Sequence, residues 1–327
     1  MPKNNKKIFL FLAGGTCIFT EAGHIFSVKS QDDIEDWLAQ MPELNILADI
    51  EPVFISGEDD LIGPNIWQTI AKEIIKRSEE ADGFVIVSKI DQLINTSLAL
   101  TFALQNLKKT IITTTSRISG SNFIDKKEVI SNLKNKYGGL SLRSNLINAI
   151  QVAQQPLPAP AIMFGTRLIA ATRAIFDPLG DVNVFSSISD CWGKVDFGIN
   201  VKSNLKYNQQ KAKIYSDKLA DILVFDDIPG VPWSFDRRAL TAYRGIFIKV
   251  DSYQKLGKNK QEQIIKWKMP IVLYNYHLTS TSKGAISVSN CTFNTALIKT
   301  MWALSNEFNK KDFENIMTQN IIEEFLN

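Results

Sequence analysis

The first half of this chain alternates short, apolar, β-rich runs with longer amphipathic segments, and that alternation restricts the fold more than any other feature. Repeated units of this kind specify a parallel sheet whose crossover helices lie on its faces. KIFLFLA (7–13) reads as the first buried strand and SQDDIEDWLAQM (30–41) as a helix, with Ser30 as its cap and acids in its opening turn. IEPVFI (50–55) is a second strand. In GPNIWQTIAKEIIKRSEE (63–80), Pro64 suits a first helical position, and Ile66, Trp67, Ile70, Ala71, Ile74 and Ile75 share one face. DGFVIVS (82–88) and KTIITTTS (109–116) are further buried strands. Helices are expected at LINTSLALTFALQNL (93–107) and GGLSLRSNLINAIQVAQ (138–154). AIMFG (161–165) and TRLIAATRAIF (166–176), after the proline-rich QPLPAPA, suit strands running out along the sheet edge.

Beyond residue 191 the pattern loosens. The stretch 192–212 lacks a long apolar run and reads as a linker with short strands. The α/β alternation then returns on a smaller scale, with strands at DILVFD (221–226), YRGIFIKV (243–250) and MPIVLYN (269–275). Two helices follow, NTALIKTMWALSN (294–306), which Thr292 can cap, and KDFENIMTQNIIEEFL (311–326). The expected organisation is a larger N-terminal α/β domain over 1–191, a linker over 192–212, and a smaller C-terminal α/β domain over 213–327. A length of 327 residues accommodates two cores.

Bulk properties narrow the function classes. A net charge of +3, with basic residues spread along the chain, does not suggest nucleic-acid binding. No apolar run reaches about 18 residues, so no membrane span is expected. The start MPKNNKKIFLFLAGG has a basic head, but its apolar run is short and breaks at glycines, which favours a first strand over a secretory signal. Three scattered cysteines, Cys17, Cys191 and Cys291, fit a reducing compartment, with the cytoplasm as default. His24 and His277 are the only histidines and have no paired cysteines near them, so a zinc site or a Ser-His-Asp arrangement is not expected.

FLAGGTCIFTEAG (11–23) ends a strand in two glycines and a threonine, which can be a tight structural turn or a nucleophile at the carboxyl end of a sheet. In chain order, LAGGT, MPELNILADIEP, GPNIWQTIAKEI, DGFVIVSKID, RSNLINAIQVA, ISVSNCTFNTALIKTMWAL and IMTQNIIEEF are similar to landmarks of the bacterial-type L-asparaginase and glutaminase family. This resemblance spans nearly the whole chain. It implies a larger parallel-sheet domain followed by a smaller α/β domain, no metal or organic cofactor, and a homo-oligomer built as a dimer of dimers. Lack of a secretory signal fits the family's cytoplasmic branch.

The resemblance also places chemistry. Thr16 matches the attacking threonine, with Gly15 beside it, and Asp91 matches an aspartate that holds the substrate's amino group. The second catalytic threonine is replaced by Ile90 and its lysine partner by Phe176, leaving Lys89 as a substitute proton carrier. An Asp-Ser-Ser-type turn that holds the substrate's α-carboxylate becomes ISGEDDLIGP, with Glu58, Asp59 or Asp60 near that place. Ser116 lies near a donor position at the end of KTIITTT. The stretch CIFTEAGHIFSV (17–28), with Thr20, Glu21, Ala22 and Gly23 as a polar, turn-like tip, is the expected lid. Three readings stay open: an asparaginase-type amidohydrolase with an altered amide substrate or low rate, an inactive relative that binds a small amino acid-like ligand or pairs with an active paralogue, and third a purely structural scaffold of the same fold.

Overall fold

The computed structural model describes residues 5–19, 25–117, 142–178, 184–195, 198–207, 211–215, 218–276, 282–306 and 310–326. The chain divides into two compact units, Met1–Ser216 and Asp217–Asn327. In chain order the strands of the first unit are β1 Lys7–Ala13, β2 Ile18–Phe19, β3 Ile25–Phe26, β4 Asp49–Ser56, β5 Gly83–Ser88, β6 Leu104–Gln105, β7 Thr110–Thr114, β8 Ala161–Phe164, β9 Arg167–Ala170, β10 Ala174–Phe176, β11 Phe185–Ser187, β12 Gly193–Val195, β13 Ile199–Val201 and β14 Lys213–Ile214.

Eight of these form one sheet in the order β13-β12-β9-β8-β7-β5-β1-β4. The five strands from β4 to β8 in that order pair in parallel. At the other end β9, β12 and β13 add in antiparallel fashion. The stretch expected as a linker thus carries two strands of the main sheet, and the division between units falls at residues 216 and 217.

Both faces of the central strands are covered. Phe9, Phe11, Phe84 and Ile86 pack on one face with Ile70, Ala71 and Ile74 of the helix Pro64–Arg77 and Leu100 of the helix Leu93–Ala103. Ile8, Leu10, Leu12, Val85 and Val87 pack on the other with Leu146, Ala149 and Ile150 of the helix Leu142–Ala153, and with Trp37 and Met41. Strands buried on both faces read as continuous apolar runs, which is why KIFLFLA and GFVIV are legible.

The second unit holds a four-stranded parallel sheet, β15 Ile222–Asp226, β16 Gly245–Lys249, β17 Ile271–Tyr274 and β18 Ile286–Val288, in that order. Thr292 caps the helix Phe293–Ser305, its side chain accepting from Thr295 N at 3.2 Å. The last helix is shorter than expected. It spans Lys310–Thr318, and the following residues leave the helical path, with Glu323 at φ +57°.

Candidate functional site

The parallel strands β4, β1, β5 and β7 deliver their carboxyl ends to one edge of the sheet, where ligands of open α/β sheets gather. The turn leaving β1 is stitched to its neighbours there. Gly14 N donates to Ser56 O at 3.2 Å and Ser116 N donates to Gly15 O at 3.0 Å. Gly14 and Gly15 adopt φ of +71° and +68°, and a Cβ on Gly15 would lie 2.0 Å from Ser88 O. Only glycine fits that crevice. Gly15→Ala is therefore expected to cost about 2 kcal/mol or more, from the left-handed backbone together with the backbone clash. Gly257→Ala, where a Cβ meets nothing within 4 Å, should stay within about 1 kcal/mol in the same urea titration.

Thr16 follows, fully buried. Its Oγ1 donates to Glu58 Oε1 at 2.6 Å and its N donates to the same oxygen at 2.5 Å. Gly15 N donates to Glu58 Oε2 at 3.2 Å. Val28 N donates to Thr16 Oγ1 at 2.9 Å, and Trp37 Nε1 donates to Thr16 O at 2.7 Å. The Glu58 carboxylate, 4% exposed, thus accepts three hydrogen bonds from two consecutive residues. The neighbouring Cys17 thiol is pushed up to about 12 by burial, with the Glu58 charge adding to the effect. It stays protonated at neutral pH and is therefore unreactive.

The other expected site residues lie outside this bonded set. Of the three acids in GEDD, only Glu58 turns inward, whereas Asp59 and Asp60 are exposed. Asp60 closes its own turn, its Oδ2 accepting from Gly57 N at 2.7 Å. Lys89 Nζ donates to Asp60 O at 2.6 Å, so its ammonium is directed to the acidic turn. Asp91 is exposed in the turn before the helix Leu93–Ala103, without a hydrogen bond or ion pair to a described residue. Ser116 is buried and meets the glycine turn through its backbone.

Phe176 lies in an aromatic cluster. Its ring is 5.2 Å from Phe185, which in turn meets Phe164 edge-on at 5.1 Å. An apolar side chain there completes packing where a lysine would bury a charge. Asn145 was not read from sequence. It donates to Thr115 O at 2.9 Å and accepts from Gly165 N at 2.9 Å, bracing the end of β7. His24, His277 and the expected lid tip Thr20–Gly23 lie outside the described residues.

Residues 7–134 match the family model described as Asparaginase, N-terminal. L-asparaginase 1 of Escherichia coli K12 is 28% identical over 178 residues, 51% of this chain and 46% of that protein. Over its N-terminal part the chain is similar to the asparaginase family. Two solved structures share the fold at 22% identity and a TM-score of 0.74. They are the thermostable L-asparaginase of Thermococcus kodakarensis, covering 98% of this chain and 99% of that one, and L-asparaginase I of Vibrio cholerae, covering 99% and 100%. The chain spans about half the length of the curated relative it matches, whereas the structural likeness is chain-long. Within this asparaginase fold, the Glu58 contact with Thr16 is the feature that bears on chemistry.

Proposed function

We propose that this chain, which has an asparaginase-like fold, is an amidohydrolase that converts L-asparagine or a related small amide to an acid and ammonia, with Thr16 attacking and Glu58 receiving its proton. The observation that carries this reading is the 2.6 Å hydrogen bond from Thr16 Oγ1 to Glu58 Oε1. A threonine hydroxyl is a weak nucleophile unaided, and a base in hydrogen-bond contact is the usual means of activating one. In the proposed sequence Thr16 Oγ1 bonds to the amide carbon as its proton passes to Glu58. The tetrahedral adduct then expels ammonia, which takes that proton, leaving a threonyl ester. Water attacks the ester carbon, Glu58 takes a proton from the water, and Thr16 regains one as the acid leaves.

A second reading, ligand binding without turnover, is favoured by Ile90 and Phe176, whose side chains carry no proton. Both readings place the chain in a homo-oligomer, a dimer of dimers in the cytoplasm, which light scattering on the purified protein tests. Among the described residues no helix is long and apolar enough to cross a membrane. The deciding assay is ammonia release from a panel of small amides, beside Thr16→Ala prepared identically. Release that disappears with Thr16 supports hydrolysis. A folded oligomer that releases none in either form supports binding.

A further inference from the structure

Two consecutive backbone N–H groups that converge on one point form an anion-binding concavity. Gly15 and Thr16 make such a concavity here, because Gly14 and Gly15 both hold positive φ, and the Thr16 hydroxyl adds a third donor on the same side. Its occupant is the chain's own carboxylate. Glu58 uses both oxygens, Oε1 on Thr16 and Oε2 on Gly15.

We infer that Glu58 is a built-in occupant of the anion seat beside Thr16, and that the site therefore selects small amides whose other end is neutral or cationic, rejecting those that carry a carboxylate there. The inference deepens the reading of Thr16 and Glu58 as a reacting pair and rests on it. A ligand carboxylate finds the three donors already taken and faces a like charge held among them in a buried place, where repulsion is poorly screened. Displacing Glu58 would strip Thr16 of its proton acceptor, so an anionic ligand that gains the seat loses the chemistry.

The rim carries both signs. Asp59, Asp60 and Asp91 are exposed around the turns that follow β4 and β5. Of the cations nearby, Lys89 is engaged with the Asp60 carbonyl and Arg117 with a partner of its own, while Lys29 is exposed beside Cys17.

L-Asparagine and L-asparaginamide differ only in whether the α-carboxyl group is a carboxylate or a carboxamide, so they isolate this one feature. Calorimetric binding and ammonia release are measured with both, on the full-length wild type, Glu58→Ser and Glu58→Gln. The wild type should bind L-asparaginamide about tenfold or more tightly than L-asparagine, the size of one hydrogen bond to a charged group. Glu58→Ser, which vacates the seat and keeps a hydroxyl, should reverse that preference. Glu58→Gln, which fills the seat without charge, should bind the two within about threefold of each other. A wild type that binds L-asparagine as tightly as L-asparaginamide, with the ratio unmoved in Glu58→Ser, overturns the inference. Thr16-dependent ammonia release with L-asparagine preferred would sink the inference and leave the hydrolase reading standing. The expected binding preference with no ammonia from either amide would do the reverse.

Discussion

Glu58→Gln should lower kcat/KM for ammonia release by about 10²- to 10⁴-fold, the range that a positioned general base contributes. Thr16→Ala should lose at least as much, and the double variant should fall no further than the worse single one, because groups that act as a unit are not additive. The geometry gives the reason. Oε1 of Glu58 takes both the Thr16 N–H and the Thr16 hydroxyl, so no second acceptor stands ready when the carboxylate becomes an amide. Glutamine can keep its oxygen on Thr16 only by turning its NH2 toward Gly15 N, which sets donor against donor. That mismatch costs about 1–3 kcal/mol of stability, readable as a lower urea midpoint in a chain that still folds. A Glu58→Gln protein that releases ammonia at the parental rate would remove Glu58 from the chemistry and leave it as a structural plug.

Much of the fold is legible because β1 and β5 are buried on both faces and announce themselves as apolar runs, while β7, TIITT, shows itself by its β-branched residues. β12, β13 and β18 are three residues each, too short for any period to show, and they are specified by the partners they meet in the sheet. The site divides along similar lines. Gly15 and Thr16 sit where a strand meets a glycine pair, and that pattern is readable. Which acid of GEDD faces Thr16 is not, because side chains in a turn diverge and a shift of one residue exchanges the inner acid for an outer one. Here the Asp60 carboxylate accepts from Gly57 N and sets the turn, which leaves Glu58 directed inward. Phe176 becomes intelligible only with its neighbours, since strand pairing sets Phe185, itself packed on Phe164, against it in a way that sequence spacing does not reveal.

The second unit has its own buried charge, and Lys299→Met should destabilise it by about 3–5 kcal/mol, the usual result of removing one partner from a buried pair. Lys299, on the helix Phe293–Ser305, is fully buried and places Nζ 2.5 Å from Glu324 Oε1 and 2.6 Å from Gln319 O. Phe325 stacks over the ammonium, with its centroid 4.5 Å away. Glu324 also accepts from Ile321 N at 3.1 Å and Ile322 N at 2.7 Å, so it folds the last residues back around its own carboxylate. This is why the final helix stops at Thr318 despite an apolar pattern that runs on. Burial already holds the Lys299 ammonium below the ordinary lysine range, against the pull of Glu324. In Glu324→Gln the main opposition to burial is gone, so the folded chain binds the lysine proton still more weakly than the unfolded chain. Stability then falls as pH drops below the ordinary lysine value, and the Glu324→Gln deficit in urea titrations should be larger near pH 7 than at about pH 10. Lys299→Met combined with Glu324→Gln should recover part of the loss, since a neutral pair leaves no charge stranded in the core. A double variant as unstable as the sum of the singles would mean that the clamp acts through shape and not through charge.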